Sequence, residues 1–151
     1  MREIANLAEL KSLVGQEVAV SSWFDISQQR VDTFADATGD HQWIHVDPER
    51  CVRESPFGGP VAHGFLTLSL LPAMLESAVH MVDVKMGLNY GLNKVRFPAP
   101  VPVGSRVRAR LTLVQVDDID GGAQMVWNVV LECEGSAKPV CVAELLGRRY
   151  P

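Results

Sequence analysis

The residues best equipped for chemistry fall in two short stretches. The first, TGDHQWIH, runs from Thr38 to His45 and sets Asp40, His41, Gln42, Trp43 and His45 directly after a glycine. Asp40 and His45 stand five positions apart, so an irregular turn can aim both into one cavity. A carboxylate and an imidazole placed there can hold one water between them. One group takes a proton while the other delivers one, which suits reversible addition of water to a double bond. Trp43 and Ile44 would exclude bulk solvent and shift both pKa values. Two other readings use the same residues. His41 and His45, spaced i and i+4, could bind zinc with Asp40 if His63 or His80 supplied a further ligand. The chain has no HExxH or CxxC pattern, and Gly39 ends the preceding helix, so no metal is expected. In the third reading Asp40 caps the next turn and His45 is a satisfied core histidine.

The second stretch is AHGF, Ala62 to Phe65. Gly64 opens an apolar helix, where the first amides lack intrahelical partners and the helix dipole favours negative charge. Having no Cβ, Gly64 lets a ligand approach its N–H closely. An oxyanion donor at that point would stabilise the enolate formed when a thioester gains or loses water across its α and β carbons. The plainer alternative is a helix-start glycine beside a buried histidine.

These groups must be positioned by the elements around them. Leu7 to Val14 reads as a short helix ended by Gly15, and EVAVSSWF, from Glu17, alternates as a strand. Ser27 offers an N-cap, with Ile26 and Val31 as a hydrophobic staple. Val31, Phe34, Ala35 and Thr38 recur at helical spacing, and Gly39 sits at C′. A short helix is expected from Asp47-Pro48 through Arg53, followed by the loop SPFGGPVAHG. From Gly64 the chain reads GFLTLSLLPAMLESAVHM, one long helix apolar almost all round, which must be enclosed by protein on most sides. Pro72 should kink it or reset its first turn. The remainder is β. MGLNYGLNKVRF, RVRARLTLVQV, AQMVWNVVLEC and VCVAELLGRR are separated by PAPVPVG, DDIDGG and GSAKP, which implies an antiparallel meander. An apolar helix followed by such a meander suggests an α+β fold with a curved sheet wrapped around the helix.

Bulk properties narrow the classes. The chain of 151 residues, 47% hydrophobic and 21% charged, suits one domain over residues 1–151 with a single core. A net charge of −4 makes nucleic acid a poor partner, since the densest basic run, Arg106, Arg108 and Arg110, alternates along one strand face. No apolar run reaches membrane-spanning length, and MREIANLAELKSLVG has no signal-peptide core. The three cysteines, Cys51, Cys133 and Cys141, suit reduced thiols, so a cytoplasmic location is expected.

GDHQWIHVDPE, a Gly/Pro loop, AHGFLTLSLL and NKVRFPAPVPVGSRV together resemble the MaoC-like acyl dehydratases, the R-specific enoyl-thioester hydratases of the hotdog superfamily. The whole-chain pattern is most similar to the NodN-like members. The resemblance implies a hotdog fold, a homodimer, no cofactor, and an acyl-CoA or acyl-carrier-protein thioester as substrate. It makes Asp40 and His45 the catalytic pair and the Gly64 amide the donor to the thioester carbonyl. Trp43, His63, Phe65 and Leu66 become candidate substrate contacts, and His41 is peripheral. Gln42-Trp43 replaces the Asn-Pro of many members, and Pro72 stands where some hydratases carry a helix serine. Both departures bear on acyl-chain preference. The rival functions are a thioesterase on the same fold, whose key carboxylate could only be Glu76 within the helix, and a non-catalytic acyl-thioester binding module.

Overall fold

The computed structural model describes residues 1–151. Strand β1 (Arg2–Ile4) leads to helix α1 (Leu7–Ser12), capped by the Asn6 side chain. Strand β2 follows over Glu17–Val20, and β3 is only Phe24–Asp25. The single strand expected from Glu17 is therefore broken. The cause is Ser21, whose Oγ accepts the Ala109 N–H and whose own N–H donates to the Ala109 carbonyl, both at 2.8 Å. A hydroxyl has replaced a ladder carbonyl, and the edge strand leaves its register there.

Helix α2 (Gln28–Thr38) begins as its sequence dictates, with the Ser27 Oγ accepting from the Arg30 N–H. Ile26 and Val31 are both fully buried at its start. It ends at Gly39, whose φ of 81° is left-handed and costs a glycine little. The single-turn helix α3 (Trp43–Val46) and α4 (Pro48–Glu54) follow, the latter capped by the Asp47 carboxylate.

The long helix expected from Gly64 is two short ones, α5 (Gly64–Ser69) and α6 (Leu71–Ala78). Pro72 lacks the N–H that would bond one turn back, so the ladder is interrupted at Leu70 and restarts with proline in its first turn. Enclosure is also incomplete: Leu66, Thr67, Leu71 and Met74 are buried, whereas Phe65, Pro72 and Ala73 face outward.

Strand β4 (Val79–Met81) pairs in parallel with β1, a small second sheet that periodicity does not reveal. The main sheet contains β5 (Met86–Arg96), β6 (Arg106–Ile119), β7 (Gly122–Cys133) and β8 (Cys141–Tyr150). Its order is β2-β6-β7-β8-β5, all antiparallel, with β3 also on β6. The meander thus holds for β6–β7–β8, but β5 crosses over to the far edge beside β8. Alternation places Val107, Ala109, Leu111 and Leu113 with Met125, Trp127, Val129 and Leu131 on the inner face, nearly all inaccessible to solvent. The opposite face carries Arg106–Glu134, Arg108–Glu132 and Arg110–Glu17 pairs, which explains the basic run as cross-strand charge pairing. No helix is long and apolar enough to cross a membrane.

Gly39 both terminates α2 and starts the chemically equipped turn. Gly39→Ala would put a Cβ residue into left-handed backbone and should cost about 1–2 kcal/mol of stability, read by urea denaturation. A variant as stable as the parent would mean that the turn re-forms without this backbone geometry.

Candidate active site

Three segments converge on the site: the turn after α2, helix α3, and the stretch Pro60–Gly64 leading into α5. The Val61 N–H donates to the Ile44 carbonyl at 3.0 Å, and the His45 Nδ1–H donates to the Val61 carbonyl at 2.6 Å. The same stretch is fixed from behind, where the Ala62 N–H bonds the Val101 carbonyl and the Val103 N–H the Pro60 carbonyl. From α2, the Gln28 side-chain amide donates to the His45 carbonyl at 2.8 Å.

His45 is thereby held as the tautomer whose Nε2 carries the lone pair. Its ring is buried, and burial lowers its pKa below the ordinary histidine value. The Val61 hydrogen bond acts upward, nearby His63 downward and Asp40 upward. A neutral imidazole with a free Nε2 is a competent proton acceptor near neutral pH. Asp40 sits on the rim with its side chain about half exposed, one carboxylate oxygen accepting the Gln42 N–H at 3.3 Å. That contact is the turn-capping role, and it leaves the other oxygen facing inward, 4.0 Å from His63 Nε2.

His63 completes the group. Its ring is stacked on His45 with centroids 3.8 Å apart and packs against Phe34 at 4.9 Å. The Nε2–H donates to the backbone carbonyl of Asp40 at 2.9 Å. One donor atom from each of Asp40, His45 and His63 lies within 4.8 Å of the others. Such a trio has the right elements for a metal, but the geometry is unfavourable. One nitrogen of each ring is committed to a carbonyl, and the lone pairs of rings stacked at an interplanar angle of 26° do not converge. His41 lies outside the group, paired with Asp36 on the surface; that hydrogen bond raises its pKa.

Gly64 heads α5 beside a cleft of about 380 Å³ lined by Phe57, Ala62, Thr67, Phe97 and Val101 as well. The chain supplies no acceptor for its N–H. Its φ is not left-handed; what demands glycine is space, because a Cβ would meet the Phe97 ring at 3.0 Å.

The remaining expected contacts are dispersed. Trp43 is half-buried beneath the Arg50 guanidinium, 4.2 Å from its ring centroid. Phe65 is exposed and edge-on to Phe97, whereas Leu66 is buried in the core. His63 does not present a nitrogen to solvent, and its remaining Nδ1 is buried without a partner. Gln28 and Val61 were missed by sequence reasoning, because a side-chain amide and a carbonyl that act at a distance leave no local pattern. The pairing of His63 with Asp40 had a signal in the AHGF motif but no spacing that could reveal it.

The antiparallel order β2-β6-β7-β8-β5, with β3 also on β6, and an Asp–His pair gathered around His63 at the start of α5 define a class, and similarity to known proteins agrees. The MaoC like domain matches residues 9–133, and the chain belongs to that family. It is 54% identical over 149 residues to 3-hydroxyacyl-thioester dehydratase Z of Mycobacterium tuberculosis, covering 98% of each chain. It is 49% identical over 146 residues to Nodulation protein N of Rhizobium leguminosarum bv. viciae, covering 95% of this chain and 89% of that one. In fold it is similar to the unliganded R-hydratase PhaJ1 of Pseudomonas aeruginosa, with a TM-score of 0.70 at 21% identity, over 91% of this chain and 81% of that one. The architecture is a hotdog fold.

Proposed function

We propose that this chain catalyses the reversible hydration of 2-enoyl thioesters to (R)-3-hydroxyacyl thioesters, with Asp40 and His45 as the acid–base pair. The observation that carries the assignment of residues is the convergence of Asp40 with His45, tautomer fixed, around His63, the residue that immediately precedes Gly64. The reaction itself is supported by family membership and by the dehydratase relative that matches nearly the whole chain.

In the hydration direction, water lies between the Asp40 carboxylate and His45 Nε2. Nε2 takes a proton as the water oxygen bonds to Cβ, the double bond shifts toward the carbonyl, and negative charge gathers on the thioester oxygen. The Gly64 N–H donates to that oxygen. A proton then returns from the pair to Cα, so the addition is balanced and the groups regain their starting state. Dehydration runs the same steps in reverse.

A thioesterase would instead direct water to the carbonyl carbon. The only carboxylate on α5 and α6, Glu76, lines a groove with Val79 and His80 that does not include Gly64. That placement favours the hydratase. The acyl group would be presented as a thioester of CoA or of acyl carrier protein. The three buried, unpaired thiols support a reducing compartment such as the cytoplasm, and burial pushes Cys141 up to about 11.

We further propose a homodimer. Strand β5 has only β8 as a neighbour and exposes Met86, Leu88, Tyr90 and Leu92, an apolar edge of the kind that pairs with another strand. Beside it a groove of about 480 Å³ runs between α6 and the sheet, floored by Met125, Trp127 and Leu145. A second copy laid against β5 would roof this groove.

Two outcomes are expected. Asp40→Asn and His45→Gln should each lower hydration of a short enoyl thioester by about two orders of magnitude or more while the fold, read by circular dichroism, is kept. His41→Gln should be close to wild type, and comparable losses at His41 and His45 would count against the assignment. Light scattering at micromolar concentration should give the mass of two chains; a fully active monomer would refute the dimer.

A further inference from the structure

Asp40 belongs to no helix or strand. It lies in the short run between Gly39 and the start of α3, with a carboxylate half open to solvent. A catalytic group on such a segment needs something to fix its backbone, because a misplacement of about 1 Å can cost roughly 10²-fold in rate. The one side chain that bonds the Asp40 backbone is His63, through the 2.9 Å contact from Nε2–H to the carbonyl. His63 is itself anchored as N-cap residue of α5 and is only 3% exposed. Its ring meets His45 on one side and Phe34 on the other.

We propose that His63 is the positioning residue of the acid–base pair: through Nε2–H it fixes where Asp40 stands, and through its stacked ring it sets the environment in which His45 exchanges a proton. This rests on the hydratase assignment above for its kinetic consequences, though not for its geometry.

Several observations support a role beyond filling space. A purely structural position so deeply buried would be met at lower cost by an apolar side chain, because His63 leaves Nδ1 buried with no hydrogen-bond partner. The one hydrogen bond its ring makes goes to the residue paired with His45. The stack at 3.8 Å also puts two imidazoles face to face, so positive charge on one opposes it on the other. The charged and titratable groups facing His45 are His63 and Asp40, and the only other polar contact to its ring is the Val61 carbonyl. His63 and burial lower its pKa; Asp40 and the Val61 bond raise it. Removing the His63 imidazole withdraws a lowering influence and admits solvent, so both changes move His45 upward. Since the unprotonated base is the active form, the acid limb of kcat/KM must then move to higher pH.

Two substitutions separate the functions. His63→Gln keeps an N–H near the Nε2 place but removes the ring; His63→Leu fills the site without a donor. For His63→Gln we expect kcat within about tenfold of wild type. The His45 titration, followed by NMR, and the acid limb of kcat/KM should both move to higher pH. For His63→Leu we expect kcat to fall about 10²-fold with little change in KM, because Asp40 is no longer held. Equal losses in both variants with an unmoved His45 titration would overturn the proposal and leave His63 a packing residue. Imidazole ¹⁵N spectra of the unaltered protein provide a check that needs no variant: His63 must carry its proton on Nε2, and a proton on Nδ1 would overturn the proposal. If the unaltered protein hydrates no enoyl thioester but the His45 titration still rises in His63→Gln, the hydratase assignment fails and the positioning role stands.

Discussion

One crosslink makes this site possible. Residues 44–45 and residue 61 hold each other twice, by the Val61 N–H on the Ile44 carbonyl and by the His45 Nδ1–H on the Val61 carbonyl. The first bond joins helix α3 to the stretch that leads to Gly64. The second consumes one nitrogen of His45 and so decides which nitrogen is left for chemistry. A carbonyl can only accept, and its partner must be the protonated nitrogen; the free Nε2 follows. Buried and only 2.6 Å long, this bond sits where water cannot readily compete for either partner, which gives it more than an ordinary positional effect.

The rest of the fold serves that crosslink. The long strands β6, β7 and β8 build an apolar inner face that needs little local assistance, and the helices lie on it. Val101 and Val103, at the turn before β6, tie the Pro60–Ala62 stretch to the body. Gly39 ends α2 in a left-handed residue, which turns the chain so that Asp40 arrives beside His63 rather than continuing along the helix. Stability and chemistry are thus divided: the sheet supplies most of the buried apolar surface, and a few backbone hydrogen bonds carry the site.

Much of this is legible in the sequence. Ser27 and Gly39 mark both ends of α2 because capping is local chemistry, and strict alternation exposes the inner faces of β6 and β7. Asp40, His45 and Gly64 stand out because their types and motifs are unusual in combination. What failed to show was everything set by distant partners. Ser21 breaks a strand because its hydroxyl reaches Ala109, 88 residues away. Pro72 was visible, but whether it kinks or divides the helix depends on packing. The β1–β4 pairing and the crossover of β5 have no periodic signature. His63 stands out in the AHGF motif, but the inward turn of its ring onto Asp40 and His45 has no local signature.

The central claim is that this site delivers water to Cβ of an enoyl thioester and leaves the thioester bond intact. The most direct measurement is to run the reaction on a short enoyl thioester in H₂¹⁸O and locate the label by mass spectrometry. The account predicts one ¹⁸O in the 3-hydroxyl group of an (R)-product whose thioester is unbroken, with no free thiol. Label in a carboxylate, accompanied by thiol release, would place the attack at the carbonyl carbon and contradict it.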